Sequence, residues 1–96
     1  MLIARVIGTT VSTIKDEKLV SRKLLIVRQT DERGEPIGKP FVAVDTIGAG
    51  NGELVLTSSG SAARQTATTK DTPVDAVIMA IIDSLEVDGK VIFRKS

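Results

Sequence analysis

The chain has 96 residues, 13 Lys plus Arg against 12 Asp plus Glu, and no His, Cys, Trp or Tyr. That length fits one small domain, which buries only about 60–65% of its unfolded surface, so either its own core is well made or neighbouring subunits add buried area. The missing residue types exclude the usual Zn, Cu, haem and iron–sulfur ligand sets, a Ser-His-Asp triad, a Cys-His pair and any disulfide, and a net charge of +1 leaves a polyanion no electrostatic footprint.

The order of the chain reads as all-β. Val, Ile and Thr, the β-branched types, number 11, 10 and 10. Short apolar runs separated by Gly, Pro, Asp and Asn clusters predict a small barrel or sandwich. The first run is Leu2–Thr13, with Leu2, Ala4 and Val6 on one face and Ile3, Ile7 and Val11 on the other. Gly8 inside it predicts a bulge or sharp bend. Its opening, Met1 to Val6, has no basic segment followed by a long apolar run, so no signal peptide is expected, and no apolar stretch approaches a membrane span. A cytoplasmic domain is the expectation.

Lys15–Lys18 reads as a solvated turn. The second run is Arg22–Gln29, with Leu24 and Ile26 opposite Leu25 and Val27. Asp31–Gly38, with two Gly and a Pro, predicts a hairpin loop. Phe41–Asp45 and Glu53–Thr57 are the third and fourth runs, the latter broken by Ser58-Ser59-Gly60. Ser61–Gln65 resembles one helical turn, and residues 66–73 form a Thr-rich loop. Val74–Leu85 is ambiguous. Val74, Val77, Ile78, Ile81, Ile82 and Leu85 fit a helical stripe entered through Thr72 and Pro73, yet VIMAII is equally a buried strand. Asp88-Gly89 is a turn candidate before a last strand within Val87–Arg94.

Several runs are apolar on both faces. Leu25, Val27, Val42 and Val44 cannot all point inward together with Leu24, Ile26, Phe41 and Ala43. With few clear helices to cover an outer face, this predicts an oligomer with extensive subunit contacts.

The most distinctive stretch is Ile47–Glu53, with Gly48, Gly50 and Gly52 in alternation. It is not a dinucleotide loop: the third glycine of G-x-G-x-x-G would fall on Glu53, and Leu54–Thr57 reads as a strand where a helix should follow. The expectation is a tight loop whose glycines permit positive φ and close approach of another backbone, tied down by Glu53 accepting loop N–H groups. Gly60-Ser61-Ala62-Ala63-Arg64 places a Ser where an N-cap sits. A Ser–Lys dyad with Lys70 is the enzymatic alternative, while Arg64 offers a fork for a carboxylate on its own or a neighbouring chain. Asp75 and Asp83 could serve as an acid–base or Mg²⁺ pair. The simpler reading makes Asp75 a cap or turn residue and pairs Asp83 with an Arg. Two aromatic residues, Phe41 and Phe93, make a poor stacking platform for single-stranded nucleic acid.

Taken in order, three signatures resemble one family: Ala4–Gly8 with Val11–Thr13; Asp45–Glu53 followed by Gly60–Arg64; and Pro73–Ala76 with Ala80–Asp83. The chain resembles the EutN/CcmL family, the pentameric vertex proteins of bacterial microcompartment and carboxysome shells. The resemblance implies a five-stranded OB-like barrel with short helical turns, and it makes Val77–Leu85 a strand. It implies a homo-pentamer that caps five-fold vertices and contacts hexameric shell tiles, with no catalysis, cofactor, metal, nucleic acid or membrane. Its candidates for subunit or five-fold contacts are Gly48, Ala49, Gly50, Asn51, Gly52, Glu53, Ser61 and Arg64. An OB-like module binding an oligonucleotide or other small ligand is the alternative.

Overall fold

The computed structural model describes residues 1–10, 23–59 and 76–95. These form seven strands: β1 (Leu2–Thr9), β2 (Lys23–Thr30), β3 (Pro36–Asp45), β4 (Leu54–Ser59), β5 (Ala76–Ile81), β6 (Ser84–Val87) and β7 (Lys90–Arg94). The first five close a barrel in the order β1-β2-β3-β5-β4, and the last two form a separate hairpin. The barrel pairs are antiparallel except β3–β5, which run parallel through Val44 and Val77. This is an OB-like arrangement, and closure leaves the five strands no free edge.

The period-2 alternation decides which side chains fill the barrel. Ala4 and Val6 of β1, Leu25 and Val27 of β2, Ala43 of β3, Val55 of β4, and Ala76 and Ile78 of β5 are buried together, with Phe41 and Ile81 packed against them. Alternating small and large side chains suit the narrow interior of five strands. Each fully buried Leu, Ile or Val contributes about 1.5–3 kcal/mol over its exposed state.

Gly8 marks a bulge: Val6 faces Val27, but Gly8, two residues on, faces Ile26. The ambiguous apolar segment is a strand, not a helix, but a shorter one than expected. It runs Ala76–Ile81, breaks at Ile82-Asp83, and leaves Leu85 to β6. Burial follows from pairing, since Val55, Leu56, Thr57 and Ser58 of β4 lie opposite Ile81, Ala80, Ile78 and Val77. Asp88-Gly89 is the turn of the β6–β7 hairpin, with both residues at positive φ (53° and 77°), as a two-residue primed turn demands.

Two loop expectations are corrected. The 31–38 loop closes within Asp31–Glu35, because the Asp31 carboxylate accepts hydrogen bonds from the Arg33 and Glu35 N–H groups at 2.8 and 3.0 Å. Pro36–Pro40 therefore belongs to β3, with Pro40 opposite Arg28 and Pro36 opposite Thr30 across a register shift. Ser58 and Ser59 continue β4 rather than breaking it. The expected helical turn at Ser61–Gln65 and the Lys15–Lys18 turn lie outside the described residues.

Candidate assembly surface

The glycine-rich loop links β3 to β4 across the end of the barrel, and its shape is set by carboxylates at both ends. Asp45, the last residue of β3, is 4% exposed. Its Oδ1 accepts the Ile47 N–H at 3.1 Å and its Oδ2 accepts the Ala49 N–H at 3.0 Å. This turns the chain so that the Ala49 methyl enters the core. At the other end Glu53 Oε1 accepts the Gly50 N–H at 2.5 Å, while the Glu53 N–H donates to the Gly50 carbonyl at 3.1 Å. The loop is then stitched to β1. Gly52 N–H donates to the Val6 carbonyl at 2.8 Å, and Val6 N–H donates to the Glu53 carbonyl at 2.9 Å.

The loop therefore presents Gly48, Asn51 and Gly52 to solvent from a fixed frame. Gly48 and Gly52 hold φ at +83° and +88°, where a side chain is strained, yet a Cβ added at either meets none of the described residues within 4 Å. Their glycines serve backbone shape. The expected close approach of another backbone occurs at Gly52, whose N–H meets the Val6 carbonyl of β1 at 2.8 Å.

Glu53 is expected to hold the loop, and it does, but it also reaches the chain's far end. Lys95 Nζ sits 2.6 Å from Glu53 Oε2 and 4.0 Å from Asp83 Oδ1. Asp83 thus faces a lysine rather than the expected arginine, because the hairpin returns β7 alongside it. The hydrogen bond from Lys95, aided by the Gly50 N–H, lowers the Glu53 carboxyl below its ordinary value. The same bond from Glu53 raises the Lys95 amine above its own. Arg5, the one charge inside β1, donates Nη1 to the Gly52 carbonyl at 2.8 Å and Nη2 to the Gly34 carbonyl at 3.4 Å.

Six of the eight expected site residues, Gly48 to Glu53, thus lie in one ordered loop; Ser61 and Arg64 lie outside the described residues. Sequence reasoning missed Asp45, Arg5 and Lys95. An Asp preceding a glycine-rich loop is a signal for side-chain-to-backbone capping. A lone Arg within an apolar strand is a weaker one, and nothing local marks Lys95.

The second component is apolar. Ile7, Ile37, Val42, Ile47 and Met79 are each at least 40% exposed. Val42 and Met79 alternate with the buried Ala43 and Ile78, so they lie on the outside of the barrel. Leu24, Val44 and Val77 form a smaller cluster separate from the main core. This is the two-faced strand pattern expected from the sequence.

Comparison with known proteins assigns this combination. The family described as "Ethanolamine utilisation protein EutN/carboxysome" matches residues 1–83. The chain is 46% identical to the carboxysome shell vertex protein CcmL of Gloeobacter violaceus, over 99% of this chain and 95% of that one. It is 44% identical to the bacterial microcompartment shell vertex protein EutN of Salmonella typhimurium, over 99% and 96% of the two chains. The solved pentameric microcompartment shell protein GrpN of Rhodospirillum rubrum superposes with a TM-score of 0.81 at 46% identity, over 91% of this chain and 99% of that one. The glycine-rich loop, the OB-like barrel and the full-length likeness agree: the chain belongs to the EutN/CcmL family.

Proposed function

We propose that the chain is a structural shell protein whose pentamers occupy the five-fold vertices of a bacterial microcompartment. The observation that carries this reading is near-full-length similarity to named shell vertex proteins, one of which, GrpN of Rhodospirillum rubrum, is solved as a pentamer. The role is geometric. Flat hexagonal tiles cannot close into a polyhedron alone, because closure requires twelve five-fold positions. A part filling them needs a rigid shape and adherent edges. A closed barrel, a loop fixed from both ends and apolar outer strands supply both.

In this reading the outer apolar side chains are covered by neighbouring subunits. The Gly48–Glu53 loop, with Ser61 and Arg64, contributes to subunit contacts or to the five-fold axis, and hexameric tiles are the further partners. Co-expression with a hexameric shell protein tests the function. Closed shells are expected with this chain, and open sheets or tubes without it. Identical assemblies in both cases would overturn the reading. For the residues, Glu53→Ala and Arg64→Ala are expected to weaken the ring in native mass spectrometry. An undiminished ring in both removes them from the contact set.

A further inference from the structure

The β6–β7 hairpin stands apart from the barrel. Its strands lie against each other far more than against any barrel strand, and Glu86–Val91 is exposed throughout. An isolated two-stranded hairpin is marginal in water, so what fixes its position matters.

Its root is a backbone tie. Ile82 N–H donates to the Leu54 carbonyl at 2.8 Å, and Lys95 N–H donates to the Asp83 carbonyl at 2.7 Å. Beside that root a cleft of about 300 Å³ separates the barrel end from the hairpin, lined by Arg5, Asn51–Leu54 and Phe93–Lys95. Among the described residues, two side-chain contacts span it. Lys95 pairs with Glu53, and the Arg5 guanidinium lies over the Phe93 ring, 6.0 Å from its centre. Both barrel-side partners also hold the glycine-rich loop: Glu53 through the Gly50 N–H, Arg5 through the Gly52 carbonyl. The cleft's Arg5, Glu53 and Lys95 already partner groups of the chain, which makes it a seam rather than a ligand site.

We propose that the β6–β7 hairpin is an arm hinged at Ile82-Asp83, that Arg5, Glu53, Phe93 and Lys95 clasp it to the barrel, and that the shared residues Glu53 and Arg5 couple the arm to the Gly48–Gly52 loop. An event that lifts the arm removes Lys95, one of the described partners that fix the Glu53 carboxylate, and so loosens the loop. An event that displaces the loop loosens the arm. The coupling links the two regions without requiring a change in the barrel, because its path runs along one carboxylate and one guanidinium. It does not depend on the vertex reading, since every contact in it lies within one chain.

Hydrogen–deuterium exchange of the full chain tests the inference, comparing wild type with Lys95→Met and, as a control, Arg94→Met. Arg94 borders the cleft without taking part in the clasp contacts. Lys95→Met keeps an apolar stem of similar length and removes the charge. Severalfold faster exchange is expected in peptides spanning 84–95 and also 47–53, with peptides spanning 24–28 unchanged. Arg94→Met is expected to leave all three at wild-type rates. Glu53→Gln, whose amide oxygen can still accept from Gly50, is expected to free the arm more than the loop. Unchanged exchange in 84–95 on Lys95→Met overturns the clasp. Faster exchange there with 47–53 unchanged overturns the coupling. Faster exchange everywhere, including 24–28, overturns both, because the substitution would then act on the whole fold.

Discussion

Asp45 shows how one side chain shapes the loop. It is buried, and it accepts hydrogen bonds from the N–H groups of Ile47 and Ala49. Hydrogen bonds to a charged group contribute about 1.5–3 kcal/mol, and a buried donor left unpaired costs about 1–3 kcal/mol. Asp45→Ala is therefore expected to lower stability by about 2–4 kcal/mol, read as a shift in the urea midpoint with unchanged slope. Asp45→Asn, which keeps one acceptor oxygen, should recover part of it. A midpoint within error of wild type for Asp45→Ala would contradict this account. Glu53 and Lys95 give a pH prediction of defined sign. Glu53 is lowered from 4.5, so its contribution is full above that value and is lost as pH falls through the depressed folded-state value. Lys95 is raised from 10.5, so its contribution is full below that value and is lost as pH rises through the elevated one. The pair is thus intact between about pH 4.5 and 10.5 and weakens on either side. Their side chains are 21% and 43% exposed, so screening keeps the energy small, and a local probe reads it better than global unfolding. Exchange of the 84–95 amides, corrected for intrinsic pH dependence, should rise on the acid side. A corrected rate flat down to pH 3 would contradict the assignment. The tie between Glu53 and Gly50 was legible because the two lie only three positions apart in the chain. The Lys95 partnership was not, because only the return of β7 brings that lysine to the loop.

At the scale of elements, the strongest test is β5, where helix and strand readings competed. As a strand it sends Ile78 into the barrel among Val6, Leu25 and Val27. Ile78→Ala is expected to cost about 2–5 kcal/mol and Ile78→Val about 0.5–1.5 kcal/mol by chemical denaturation. A loss under about 1 kcal/mol for the alanine variant would mean that this side chain is not in the core. Periodicity could not settle the segment, because a short continuous apolar run satisfies both templates, and partners distant in sequence decided it. The bulge at Gly8 was legible, since a glycine inside an apolar run signals either a bulge or a bend. The start of β3 was not. Pro36, Gly38 and Pro40 carry the usual marks of a loop, yet Pro36 and Pro40 pair with β2 on either side of a register irregularity, where a missing N–H is tolerated. The arm was half legible: Asp88-Gly89 marked its turn, but Ser84–Val87 carries too little apolar pattern to announce a strand.

For the whole molecule, the informative feature is the mismatch between a complete barrel interior and an apolar exterior. Composition excluded His- and Cys-ligated metal sites, thiol and triad chemistry, and the two-faced strands pointed to subunit contacts. Neither observation specified five copies. That number entered through the order of three short signatures and is supported by the likeness to a pentameric relative. The physical reason is plain: ring number depends on the angle between neighbouring subunits, a property of two surfaces that no single run of residues encodes. The most direct test is therefore the mass of the native oligomer. Under gentle ionisation from near-neutral solution, the purified chain of 10.2 kDa is expected to give one dominant species of five copies, about 51 kDa. A dominant monomer, or a closed ring of any number other than five, would contradict the vertex role.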